Sequence, residues 1–226
     1  MGPHDPQKNG STAAPDDEEF TSARNRMVSR LENSGRIERT STAQAMRAVP
    51  RHVFVAPGQR GEAYADRPLG IGEGQTISAP HMVAMMTDLL ELSPGDRVLE
   101  IGTGCGYHAA VTAEIVGSEH VYSVEYHETL AEQAQSKLEQ TGYGDVHIRV
   151  GDGNDGWPDN APYDAAYLTC APPALPSRVL EQVPDGVIVG PVGQTRQELL
   201  RVRRRGGSNI EETTHGGVRF VRMRSD

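Results

Sequence analysis

Val98-Leu99-Glu100-Ile101-Gly102-Thr103-Gly104-Cys105-Gly106-Tyr107 decides how this chain is read. A short apolar run carrying one acid enters three alternating glycines, and a helical pattern over residues 107–116 follows directly. Without Cβ atoms, the backbone at such glycines turns tightly and admits a ligand, while the helix start presents unpaired N–H groups. A plain strand-to-helix turn does not require three glycines in five residues. The stretch therefore predicts a ligand-binding edge on a parallel sheet.

The pattern repeats outward from this loop. Strands are expected at residues 97–101, 120–125, 146–150, 165–170 and 187–192, with helices at 107–116, 129–140 and 176–183 between them. Strands alternating with helices of ~10–15 residues predict a doubly wound, mostly parallel sheet covered on both faces. Residues 198–205 and 218–223 alternate apolar with charged side chains, as antiparallel strands with one wet face do. Upstream, residues 21–32 and 41–49 read as helices with Gly35 at the stop between them. Residues 50–74 read as a long irregular segment. Ser78 reads as the cap of a helix that begins with Pro80 and carries Met82, Val83, Met86, Leu89 and Leu90. Residues 1–20 hold five acids against Lys8 and are expected to be a disordered acidic tail. The division is thus a tail at 1–20 and one α/β domain at 21–226. Within it, 21–95 forms an N-terminal helical and loop extension, 96–195 the ligand-binding core and 196–226 the C-terminal strands.

The 226 residues are 36% hydrophobic and contain no apolar run near the ~20 residues that a membrane helix needs. Two cysteines, Cys105 and Cys170, form no disulfide framework, and the expectation is a reduced, cytoplasmic, monomeric protein. The net charge of −9 argues against nucleic acid. The eight arginines between Arg196 and Arg224 fit the wet face of a strand better than an RNA surface. No metal is expected.

Three acids fall at successive strand ends, and they indicate which ligand the loop holds. Gly104-Cys105-Gly106-Tyr107-His108-Ala109 matches a dinucleotide fingerprint, so NAD stays an alternative. The strand delivers its turn two residues earlier, at Gly102, and carries Glu100 just before it. A carboxylate there repels a pyrophosphate but suits the cationic end of S-adenosylmethionine. Glu125 is placed for ribose hydroxyls, and Asp152-Gly153 for the adenine amino group. The methyl donor is the favoured ligand.

The chain also resembles the protein-L-isoaspartate (D-aspartate) O-methyltransferases. Val49-Pro50-Arg51-His52-Val53-Phe54-Val55, Ala63-Tyr64-Ala65-Asp66-Arg67-Pro68-Leu69 and Gly74-Gln75-Thr76-Ile77-Ser78-Ala79-Pro80-His81-Met82 carry the resemblance. Leu99 to Tyr107, Gly151-Asp152-Gly153, Pro162-Tyr163-Asp164 and Gly217-Val218-Arg219-Phe220-Val221 continue it. It implies a Rossmann-like class I methyltransferase that esterifies the free carboxylate of isoaspartyl residues in damaged proteins and so starts repair through a succinimide. It implies Ser78 as the active-site serine. It implies Ile77, Ser78, Glu100, Ile101, Gly102, Thr103, Gly104, Glu125, Tyr126, Asp152 and Gly153 around the cofactor, with Thr76, Ala79, His81 and Val218 around substrate. The family often has Ser where Cys105 stands, and Thr169-Cys170-Ala171-Pro172-Pro173 also departs from its pattern.

Ser78 as a plain helix cap, His81 as a solvent-facing residue, and Tyr64, Asp66 and Arg67 as pins for the long loop are the structural alternatives. For Cys105 and Cys170, two small buried side chains are favoured over a redox switch. The functional alternatives are a same-fold enzyme tailoring one dedicated peptide and a non-catalytic isoaspartyl binder.

Overall fold

A seven-stranded sheet organises the chain, and the computed structural model describes residues 15–206 and 209–225. The elements in order are α1 (Pro15–Asn33), α2 (Thr40–Ala48), β1 (Leu69–Gly72), β2 (Gln75–Ile77), α3 (Pro80–Leu90), β3 (Val98–Ile101), α4 (Tyr107–Val116) and β4 (Val121–Glu125). There follow α5 (Glu128–Thr141), β5 (His147–Val150), β6 (Ala165–Leu168), α6 (Ser177–Gln182), β7 (Gly186–Val192), β8 (Gln197–Arg205) and β9 (Asn209–Val218). The large sheet runs β5-β4-β3-β6-β7-β8-β9, parallel through β7 and antiparallel at β8 and β9.

All residues of β3, β4 and β6 are buried, because helices cover both faces of the sheet centre. Small residues at Ala109, Ala110 and Ala113 are buried along α4, which carries the glycine loop at its start. The strand order reverses between β4-β3 and β6, so a crevice opens beyond the carboxyl ends of β3 and β6.

Four sequence expectations change. Residues 15–20 belong to α1 and not to a tail: Pro-Asp-Asp-Glu-Glu is a helix-start signal, with Pro at the first position and acids complementing the dipole. Residues 1–14 lie outside the described residues. The irregular segment contains two 3-10 turns, Arg51–Val53 and Pro57–Glu62, and an antiparallel hairpin of β1 and β2. Its tight turn places Gly72, Glu73 and Gly74 at φ of 101°, 51° and 70°; glycines read as loop punctuation are the hairpin's turn chemistry.

The helix after Ser78 is capped by Ala79 without a side-chain bond, so Ser78 is not the cap. Asp66 takes that role, its Oδ1 accepting from the His81 backbone N–H at 2.9 Å. Finally, the last strand is Asn209–Val218 and not 218–223. Residues 219–225 instead cross above the strand ends, where Ala171 N–H donates to Val221 O (2.8 Å) and Met223 N–H to Ala171 O (3.0 Å).

Candidate active site

The crevice at the sheet's reversal forms a cleft open to solvent on one side, placed where ligands bind in open α/β sheets. Its floor is the glycine loop, represented by Gly102 and Gly104. Ile101, Val124, Glu125 and Tyr126 form one wall with Gly153, while Thr169 and Cys170 form another. Gln75 and Thr76 reach in from the hairpin, and Val221, Arg222, Met223 and Arg224 close the top.

Glycine is required here for space as well as conformation. A Cβ on Gly153 would lie 2.4 Å from Ile101 Cγ2 and 2.7 Å from Met223 Cε; one on Gly102 would lie 2.3 Å from Thr169 Oγ1. Gly102 also sits at φ 97°, where L side chains are strained.

Glu125 ends β4 and is 5% exposed. Its Oε2 accepts from Gly104 N–H (2.8 Å) and its Oε1 from His127 N–H (3.0 Å). The carboxylate therefore fixes the loop while facing the cleft.

Beneath the loop, Thr76, Gly102, Gly104 and Thr169 are shared with an inner recess that reaches Ile77, Ser78, Glu100, Thr103, Cys105, Tyr107 and His108. Glu100 is fully buried, and Ser123 Oγ donates to its Oε2 at 2.5 Å. Its Oε1 has no hydrogen-bond partner among the described residues. Burial pushes its carboxyl up to about 8, against the pull of the Ser123 and Tyr167 hydroxyls. A buried acid held only by neutral hydroxyls, with no cation beside it, is a receptor for a positive group. This orphaned oxygen, the glycine cradle and the Glu125 wall fit a ligand with a cationic end and a ribose, as S-adenosylmethionine has.

The remaining expected residues divide. Ile77, Ser78, Ile101, Gly102, Gly104, Tyr126 and Gly153 border the cleft or recess, and Thr76 borders both. Thr103 borders the recess, but its Oγ1 is engaged with Ser123 Oγ at 2.6 Å. Asp152 is absent from both linings; its Oδ1 accepts from Asn154 N–H and Nδ2, each at 2.8 Å. Ala79 is buried at the cap of α3 and lines neither. His81 is paired through Nδ1 with Asp66 Oδ1 (2.8 Å). Val218 lies in a neighbouring groove at the end of β9. Cys105 faces the recess and Cys170 the cleft, both as free thiols.

Sequence reasoning missed three contributors. Residues 221–224 close the cleft because the chain leaves the sheet at Val218, which alternation cannot show. His108 is buried; Thr87 Oγ1 donates to Val83 O, so His108 Nε2–H donates to Thr87 Oγ1 (3.1 Å) and leaves Nδ1 bare. Burial pulls this imidazole down to about 3, so it is neutral. Arg51 was visible only as a motif letter. Its guanidinium is wholly buried, with Nε donating to Ala63 O and Nη2 to Ser78 O, both at 2.8 Å, and it lies 4.8 Å from the Tyr107 ring centre.

A family model described as protein-L-isoaspartate(D-aspartate) O-methyltransferase matches residues 22–226. The chain belongs to this family. Among relatives of the methyltransferase, protein-L-isoaspartate O-methyltransferase 2 of Archaeoglobus fulgidus is 49% identical over 210 residues, covering 92% of this chain and 95% of its own. The protein-L-isoaspartate O-methyltransferase of Methanopyrus kandleri is 49% identical over 212 residues, covering 92% and 94%. A solved protein-L-isoaspartate O-methyltransferase superposes with a TM-score of 0.80 at 28% identity, over 89% of this chain and 66% of that longer one. The Plasmodium falciparum beta-aspartate methyltransferase in complex with S-adenosyl-L-homocysteine gives 0.80 at 21% identity, which shows a shared fold.

Proposed function

We propose that this protein transfers a methyl group from S-adenosylmethionine to the free carboxylate of L-isoaspartyl residues in damaged proteins, the first step of their repair. The observation that carries the reading is the glycine-floored cleft between Glu100 and Glu125, in a chain of this family.

When bound, S-adenosylmethionine supplies a methyl group on a sulfonium, open to in-line attack. The acceptor carboxylate, with a pKa of ~4, is ionised at neutral pH, so the protein needs no general base. Its task is alignment, which can contribute effective molarities of ~10⁵ M or more. Ser78 borders the recess beside the glycine loop, and we assign its hydroxyl to orienting the acceptor oxygen. Arg51 holds the Ser78 carbonyl and so fixes where that hydroxyl stands. Glu100 would face the cationic end of the cofactor. Glu125 would serve the ribose hydroxyls, and Gly153, which has no side chain, would leave room for the adenine. Asp152, committed to Asn154, is the weakest of the expected cofactor contacts.

The reading further takes the enzyme to act as a monomer on protein rather than nucleic acid, in keeping with its charge of −9. A cytoplasmic setting agrees with two free thiols; no described helix is long and apolar enough to cross a membrane.

The test is transfer of labelled methyl from S-adenosylmethionine to paired peptides, one with isoaspartate and one with aspartate. Labelling of the isoaspartyl peptide alone is expected; equal labelling of both, or of neither, overturns the reading.

A further inference from the structure

A second groove adjoins the cleft at the far end of the sheet. It is lined by Arg196, Arg219 and Arg222, with Glu198 as its one carboxylate, and Arg222 borders both groove and cleft. The three arginines are exposed, and their side chains make no ion pair or hydrogen bond among the described residues. Three arginines within β8 behave differently. Arg201 and Arg203 pair with Glu91, and Arg204 donates to the carbonyls of Leu180 and Val183. The fold engages Arg201, Arg203 and Arg204 within β8, while the arginines flanking the strand pair beside the cleft stay available.

The groove is also held in shape. The Gln197 side chain clamps the backbone of Phe220, with Nε2 donating to its carbonyl (3.1 Å) and Oε1 accepting from its N–H (2.6 Å). The Ala171–Arg222 bridge fixes the segment again two residues later. Guanidinium groups on so fixed a backbone favour carboxylates, which they can bind through two parallel hydrogen bonds. A protein of net charge −9 repels acidic segments at long range, and a local cationic groove offsets that repulsion where substrate must enter.

We infer that Arg196, Arg219 and Arg222 form a specificity subsite for acidic side chains flanking the isoaspartyl residue, on one side of it. The inference rests on the methyl-transfer reading above and adds a substrate class to it. Nucleic acid is disfavoured because the groove borders the methyl-transfer cleft at Arg222 and its sole aromatic, Phe220, is half-buried against the core.

The test uses the full chain with isoaspartyl peptides carrying three glutamates on the N-terminal side, three on the C-terminal side, or neutral flanks. KM and kcat are measured, and peptide binding is followed by fluorescence anisotropy with S-adenosylhomocysteine present. One acidic peptide is expected to show a KM about tenfold below the neutral one, the combined size of three exposed ion pairs, with kcat within about twofold. At 1 M salt, where the screening length falls to ~3 Å, the ratio should collapse to under about twofold. Arg196→Glu with Arg219→Glu should reverse the order of the peptides, whereas Arg196→Lys with Arg219→Lys should keep most of it. Equal KM values for acidic and neutral peptides overturn the inference, as does discrimination that survives charge reversal. An oligonucleotide that displaces the acidic peptide and binds more tightly also overturns it. If no peptide is methylated, the methyl-transfer reading fails, and the anisotropy comparison still decides the groove.

Discussion

The Glu125 carboxylate accepts the backbone N–H of Gly104 at 2.8 Å, so the acid at the end of one strand holds the glycine loop at the end of its neighbour. Wall and floor of the cleft are one hydrogen-bonded unit. Charge-assisted bonds of this kind contribute ~1.5–3 kcal/mol each. Glu125→Ala should therefore weaken S-adenosylhomocysteine binding by about tenfold to a hundredfold, read by calorimetry. Glu125→Gln, which keeps an acceptor oxygen, should lose less.

Glu100 has a pH signature with a defined sign. Burial pushes its carboxyl up to about 8 in the folded protein, from the ordinary carboxylate value of 4.5. Between those values the folded state holds a proton that the unfolded state has lost, so stability declines as pH rises through that window. Glu100→Gln should flatten this decline in denaturant titrations at pH 5 and pH 8. The cationic S-adenosylmethionine beside Glu100 favours its ionised form, so binding of S-adenosylmethionine at pH 7 should release a proton from the wild type. The variant should release none. Calorimetry in buffers of different ionisation enthalpy reads the proton directly.

Gly153→Ala tests the space between β3 and the C-terminal segment. The added methyl meets Ile101 Cγ2, a stiff branched side chain in a buried strand, and the mobile end of Met223. Overpacking of this sort costs ~1–3 kcal/mol. A lowered thermal midpoint with weakened cofactor binding is expected, and Met223→Ala should restore part of the binding by removing one of the two obstacles.

Ser78→Ala separates orientation from scaffolding. Loss of a hydrogen bond to a charged acceptor, worth ~1.5–3 kcal/mol, should lower kcat/KM for an isoaspartyl peptide by about tenfold or more. A value within about twofold of wild type would remove Ser78 from the mechanism.

Arg51→Met probes the same point from behind. It strands the carbonyls of Ala63 and Ser78 in a buried setting at ~1–3 kcal/mol each. A loss of ~2–6 kcal/mol in chemical denaturation is expected, together with a lower kcat at temperatures where the variant remains folded.

The sequence by itself determined the sheet, the glycine loop and the acids Glu100 and Glu125 that line the recess and the cleft. Strand and helix periodicities are local, and three glycines between a buried strand and a helix have few other uses. The start of α1 was also legible, in Pro15 and the acids after it, and was missed because their polarity read as a tail. Other features depended on partners distant in the chain. Asp66 rather than Ser78 caps α3, since a cap is set by which acceptor reaches the His81 N–H across 15 residues. Asp152 has the right address, but its side chain bonds Asn154. Arg51 supports Ser78 across 27 residues, a contact no spacing rule predicts. Residues 221–224 roof the cleft because the chain departs the sheet at Val218, and Arg222 thereby joins cleft to groove. Local pattern specifies which element forms; the partners of a buried polar group are fixed only when distant segments compete for it, and that competition is settled in three dimensions.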